Sequence, residues 1–83
     1  MDHPERLKRL KWLCRRGMKE LDVLLENFLQ RHGRELSQGK WPEFEALLDS
    51  EDDQLWDWLQ YPSSRQAGPY EALLSRIRHD RPH

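Results

Sequence analysis

Cys14, the histidines His3, His32, His79 and His83, and the carboxylate run Glu51-Asp52-Asp53 are the residues that a catalytic or metal site would recruit. A nucleophilic thiol needs a depressed pKa, and Arg15 and Arg16 beside Cys14 would supply one. Cys14 nevertheless shares a helical stripe with Leu7, Leu10 and Leu13, so it reads as a buried structural thiol. Of the histidines, only His79 and His83 have a ligand-like spacing, and Pro82 between them prevents a shared helical face. All four read as solvent-exposed side chains. The carboxylate run lacks the alternating ligands of a calcium loop. A helix N-terminus, whose dipole favours negative charge, accounts for it more simply. No glycine-rich phosphate loop or nucleophile elbow occurs. The expectation is a non-enzyme with no catalytic residues and no metal site.

The basic stretch "RLKRLKWLCRR", residues 6–16, suggests a different chemistry, since its cations could meet phosphates. Two properties of the chain oppose this. The pI is about 6.4, whereas basic nucleic-acid domains commonly exceed about 9. The charge is also polarised: residues 1–19 carry a net +5, residues 20–60 a net −8 and residues 61–83 a net +2. The acidic middle would repel a duplex drawn to the basic end. What remains is a surface with two contrasting patches, suited to protein partners.

These residues must be positioned by helices, because apolar side chains recur at 3.6-residue spacing and no strand alternation appears. The first helix is predicted from Pro4 to Arg15. The second starts near Met18, with Leu21, Leu25 and Phe28 on one face, and ends at His32-Gly33, where glycine could take a left-handed cap. "RELSQGK" reads as a polar loop. A third helix opens around Pro42 and buries Phe44, Leu47 and Leu48, with Trp41 folding back over its first turn. Ser50 is expected to cap a fourth, with Asp53 completing a capping box and Leu55, Trp58 and Leu59 inward. Pro69 opens a fifth, striped by Tyr70, Leu73, Leu74 and Ile77. The fold class expected is all-α: a compact five-helix, bundle-like single domain over residues 1–83, with residues 1–3 and 80–83 frayed.

The lone cysteine fits a reducing compartment, and no apolar run approaches the ~20 residues of a membrane span. A cytoplasmic monomer without membrane insertion is expected. Trp41, Trp56 and Trp58 invite a flavin-stacking account, but Trp58 falls on a core stripe, and Trp12 and Trp56 fall off theirs.

The corner between the first two helices, "CRRGMKELD", sets Gly17 among charges. One account makes Gly17 a C-cap after a helix ending at Arg16. A second, compatible account adds recognition: the corner lifts Arg16 and Gly17 outward, with Glu20 one turn on. A bare glycine then admits another backbone, and Arg16 and Glu20 offer a donor fork and an acceptor.

"RRGMKELD" resembles the signature of the FAD assembly factors of succinate dehydrogenase, the SdhE group of bacteria and its mitochondrial counterpart. Arg16, Gly17 and Glu20 match the Arg-Gly-x-x-Glu hallmark, and Leu21-Asp22 its usual continuation. "LLDSEDDQLWDWL", residues 47–59, is similar to the second family segment, a leucine pair, an acidic cluster and Leu-aromatic-x-Trp. The resemblance implies a five-helix assembly factor that binds the flavoprotein subunit of succinate dehydrogenase, with that of fumarate reductase a second candidate. It further implies that FAD becomes covalently attached to a histidine of that partner, with none stably bound by this chain. Arg16, Gly17 and Glu20, flanked by Arg15 and Asp22, would form the partner-binding patch. The alternative is an antitoxin-type regulator that binds another protein.

Overall fold

The computed structural model describes residues 4–80 and is built of α-helices. They are α1 (Pro4–Leu13), α2 (Lys19–Arg31), α3 (Gly33–Ser37), α4 (Glu43–Leu48), α5 (Asp52–Gln60) and α6 (Glu71–His79), the last entered through a 3-10 turn at Gly68–Tyr70. The all-α class holds, with six helices among the described residues where five were expected.

The additional helix lies in the segment read as a polar loop. Leu36 and Ser37 of α3 are buried, and α1 packs against this short helix as well as against α2. Its end is a Schellman cap: Lys40 N–H donates to the Glu35 carbonyl (2.9 Å) and Gly39 N–H to the Leu36 carbonyl (3.1 Å). Gly39 supplies the left-handed residue that this cap requires, at φ +90°. Gly33 has no such role, contrary to expectation; it is the first residue of α3. The kink between α2 and α3 falls on His32, at φ −113° and ψ 20°.

Two other helix ends differ from the sequence reading. The N-cap of α5 is Glu51 and no side chain caps it, so the Ser50–Asp53 box is not formed. Helix α1 ends at Leu13, short of the expected Arg15, which leaves an extended corner before α2.

One apolar cluster runs through the molecule. Leu10 and Cys14, then Leu21, Leu25 and Phe28, meet Phe44, Leu47, Leu55, Leu59, Leu73, Leu74 and Ile77, all with no exposed surface. The predicted stripes therefore face one another. Phe28 anchors an aromatic group, with ring centroids 5.0 Å from Phe44 and 5.7 Å from Trp41. The Trp41 ring, expected over the first turn of α4, lies against Phe28 and, at 6.1 Å between centroids, His32 at the end of α2; its backbone takes φ +55°. In the link before α6, Ala67 is buried although nothing in its spacing marks it.

The chain end is tied back to α2. Asp80, the first of the residues expected to fray, is buried: Asn27 Nδ2 donates to its carbonyl. Its carboxylate Oδ2 lies 2.7 Å from His32 Nε2. His32, expected to be exposed, has 14% of its side chain accessible and stacks on Phe28 at 4.6 Å. Residues 1–3 and 81–83, with His3 and His83 among them, lie outside the described residues.

Candidate functional site

The α1–α2 corner is held in shape by two residues that the sequence reading had placed at a contact surface. The Arg16 backbone N–H donates to Asp22 Oδ1 at 2.7 Å, so the carboxylate of α2's first turn reaches back and pins the corner. Arg16 Nε donates to Asp52 Oδ1 at 2.7 Å. Nη1 donates to the carbonyls of Leu13 (3.1 Å) and Leu48 (2.6 Å), and Nη2 donates to that of Ser50. The guanidinium fork thus satisfies carbonyls at the ends of α1 and α4 and in the link to α5, groups that helix geometry leaves without partners.

This corrects the expectation that Arg16 projects outward: its side chain is 13% exposed. The reason is electrostatic and local. Three carbonyl dipoles and a carboxylate converge at one point, and a planar five-donor cation can meet them together. Asp22 likewise faces the corner rather than solvent. The arrangement also joins the sequence's two separate motifs, because Leu48, Ser50 and Asp52 all belong to "LLDSEDDQLWDWL".

Gly17, Glu20 and Arg15 remain on the outside. Gly17 is exposed, adopts φ +83°, and has open space where a Cβ would stand. It is not the helix cap foreseen, since α1 ends at Leu13; its left-handed backbone turns the chain from Arg16 into Met18. Glu20 is exposed in the first turn of α2, where the helix dipole favours a carboxylate. Among the described residues neither Glu20 nor Arg15 takes part in an ion pair.

The remaining cations of the basic stretch divide in the same way. Arg6 turns inward: Nε donates to Glu45 at 3.3 Å, and its Nη groups to the carbonyls of Leu36, Lys40 (2.9 Å) and Trp41 (3.1 Å). Arg9 also pairs with Glu45, at 3.1 Å. Lys8, Lys11 and Arg15 stay exposed around Trp12, which is 74% exposed. Trp56 is half-buried and packed on the core, whereas Trp58 is 7% exposed, its ring centroid 5.9 Å from Tyr70.

Cys14 lies under the corner, fully buried. Burial pushes its thiol up to about 12, with Glu26 and Asp22 adding to the rise and Arg16 opposing it. At neutral pH that thiol is protonated and a poor nucleophile. Hydrogen bonding from His32 holds the carboxyls of Glu35 and Asp80 below their ordinary range, against a smaller opposing effect of burial.

Sequence reasoning located the corner and its glycine but missed Arg16 as an internal clamp and His32–Asp80 as a tie. The clasped groups lie 32 to 48 residues apart along the chain. Helical periodicity, which relates near neighbours, carries no sign of such pairings. A nearer signal existed for α3, in Leu36 followed by Gly39 at cap spacing.

Compared with known families, residues 8–81 match the one described as "Flavinator of succinate dehydrogenase". A protein named FAD assembly factor SdhE from Xylella fastidiosa (strain 9a5c) is 40% identical over 78 residues, covering 94% of this chain and 80% of its own. One of the same name from Coxiella burnetii is 36% identical over 77 residues, covering 93% and 94%. Another, from Haemophilus ducreyi, is 34% identical over 70 residues, covering 84% and 85%. No solved structure matches.

Proposed function

The chain belongs to the succinate dehydrogenase flavinator family, and on that premise we propose that it is an assembly factor for the flavoprotein subunit of succinate dehydrogenase. It binds the immature subunit and promotes covalent attachment of FAD to a histidine there. FAD is cargo for the partner and is not held by this chain; the core packing of Trp58 and the half-burial of Trp41 and Trp56 leave those indoles poorly placed for stacking on a flavin. The chain supplies no nucleophile, in keeping with the buried Cys14. It acts as a monomer in the cytoplasm and does not insert into membrane; no helix among the described residues is long and apolar enough to cross one. The flavoprotein of fumarate reductase is a second candidate for the same surface.

The observation that carries the mechanism is the open, left-handed Gly17 beside the exposed carboxylate of Glu20. The partner's backbone approaches over Gly17, and Glu20 accepts its donors. Arg16 and Asp22 act as positioning residues that keep the corner rigid, and Arg15 stands at its edge. Rigidity matters because an assembly factor of this kind works by alignment. Holding histidine and flavin in reactive geometry is worth up to about 7–11 kcal/mol as effective molarity.

In-gel flavin fluorescence of the flavoprotein subunit tests this reading. Wild-type chain is expected to raise covalent flavin. Glu20→Ala should weaken partner binding by about 1–3 kcal/mol. Gly17→Asn keeps a residue tolerant of positive φ but puts a side chain into the open space; it should suppress covalent flavin while helical circular dichroism is unchanged. Wild-type flavin levels with both variants would refute the contact role.

A further inference from the structure

Three surface cations and a tryptophan on α1 are left over once the fold has used the rest of the basic stretch. Lys8, Lys11, Trp12 and Arg15 stand at i, i+3, i+4 and i+7, one helical face continued just past the end of α1. Leu10 and Cys14 on the opposite side are buried, so this face contributes nothing to the core. Arg6, Arg9 and Arg16 of the same stretch are paired with Glu45 or Asp52, while Lys8, Lys11 and Arg15 enter no ion pair among the described residues. The face therefore presents three cations without a direct ion partner among the described residues, around an indole that is 74% exposed, with Glu26 of α2 in the adjoining hollow.

Its relief is shaped as well as charged. Lys8, Lys11, Trp12 and Arg15 border a hollow of about 240 Å³. Lys11 and Arg15 also border a larger one of about 530 Å³, with Leu7 and Leu29 among its lining and Glu26 and Gln30 from α2. The two cations thus stand as a ridge between an aromatic knob and a partly apolar trough. Exposed aromatics and Arg at the centre of a patch are the side chains that most often carry binding energy at interfaces.

We propose that this face is a second docking surface for the flavoprotein partner, and that it takes an acidic segment bearing a large apolar side chain. The apolar group enters the Leu7–Leu29 trough. Carboxylates of the same segment lie on Lys11 and Arg15, and Trp12 is covered by the partner's surface. Charge complementarity selects the acidic character, since three cations with no ion partner among the described residues repel a basic surface, gain little from a neutral one and attract carboxylates. Arg15, two residues before Gly17, joins the face to the corner, so one partner can cover both. The inference rests on the flavoprotein being that partner.

The test is the affinity of the full chain for purified flavoprotein subunit lacking covalent flavin, measured by biolayer interferometry at two salt concentrations. Trp12→Ala should bind at least about tenfold more weakly, with unchanged circular dichroism because Trp12 lies outside the core. The double variant Lys8→Glu, Lys11→Glu should also bind more weakly and lose much of the wild-type salt dependence. Wild-type affinity in both, with Glu20→Ala still impaired, overturns the second surface and leaves the corner standing. A wild-type chain that does not bind the subunit overturns both readings. If Trp12→Ala instead abolishes self-association in sedimentation and leaves flavoprotein affinity intact, the face belongs to a second copy of this chain, and the proposal fails.

Discussion

Arg16 shows how one side chain can brace a surface corner from within. Its fork meets Asp52 and the carbonyls of Leu13, Leu48 and Ser50, so removal strands helix-end acceptors and a carboxylate together. Hydrogen bonds to charged groups contribute about 1.5–3 kcal/mol each where well buried. Asp52 is 42% exposed, so solvent screening reduces its share. Arg16→Ala should cost about 2–3 kcal/mol in urea denaturation, with covalent flavin falling in parallel. Arg16→Lys keeps the charge but not the planar fork, and should recover about half of that stability at most. Glu20→Ala is the contrast, because its carboxylate has no ion pair within the described chain. Its stability should stay within about 0.5 kcal/mol of wild type while partner binding falls. If Arg16→Ala and Glu20→Ala proved alike in both measurements, the division into positioning and contact residues would be wrong.

At the scale of elements, the tie between α2 and the end of α6 makes the fold sensitive to acid. His32 lies 2.7 Å from Asp80 and 3.3 Å from Glu35, and both carboxyls titrate below their ordinary range. Groups whose folded pKa is depressed contribute stability above their unfolded pKa, and that contribution is lost as pH falls through the folded value. Unfolded values lie near 3.9 for Asp and 4.3 for Glu, so the loss should begin below about pH 4.5 and deepen as pH drops further. Asp80→Asn should be less stable than wild type at pH 7, and the gap should narrow under acid. Urea midpoints measured from pH 7 down to pH 3 would show it. A constant gap across that range would mean that the Asp80 carboxylate adds nothing through its charge.

For the whole molecule, the constraint is size. At about 0.05–0.15 kcal/mol per residue, an 83-residue chain has roughly 4–12 kcal/mol of stability. Its single core converges on Phe28, which is fully buried and contacts the rings of His32, Trp41 and Phe44. Truncating a buried Phe costs about 3–5 kcal/mol, a large part of that total. Phe28→Ala should therefore lower the melting temperature by ten degrees or more, on the order of 4–8 °C per kcal/mol for a domain this small. Calorimetry would decide, and a shift of a degree or two would show that the cluster has slack to collapse. The same smallness explains why Arg6 and Arg16 are drawn inward: short helices leave many end carbonyls, and long cations are the side chains able to reach several at once.

The sequence alone determined the helical class, the apolar stripes and the place of the Gly17 turn, because these depend on neighbours three or four residues apart. It determined the family resemblance on the same two short motifs. It read Leu36–Gly39 as loop, since a helix of five residues has too few turns to display a period. Tertiary structure alone decided which charges face out. Arg15 and Arg16 are adjacent in the chain and both cationic, yet one is exposed and the other is locked to residues 32 to 36 positions away. Long flexible side chains go where packed helix ends present acceptors, and only the packing of distant segments sets where those ends meet.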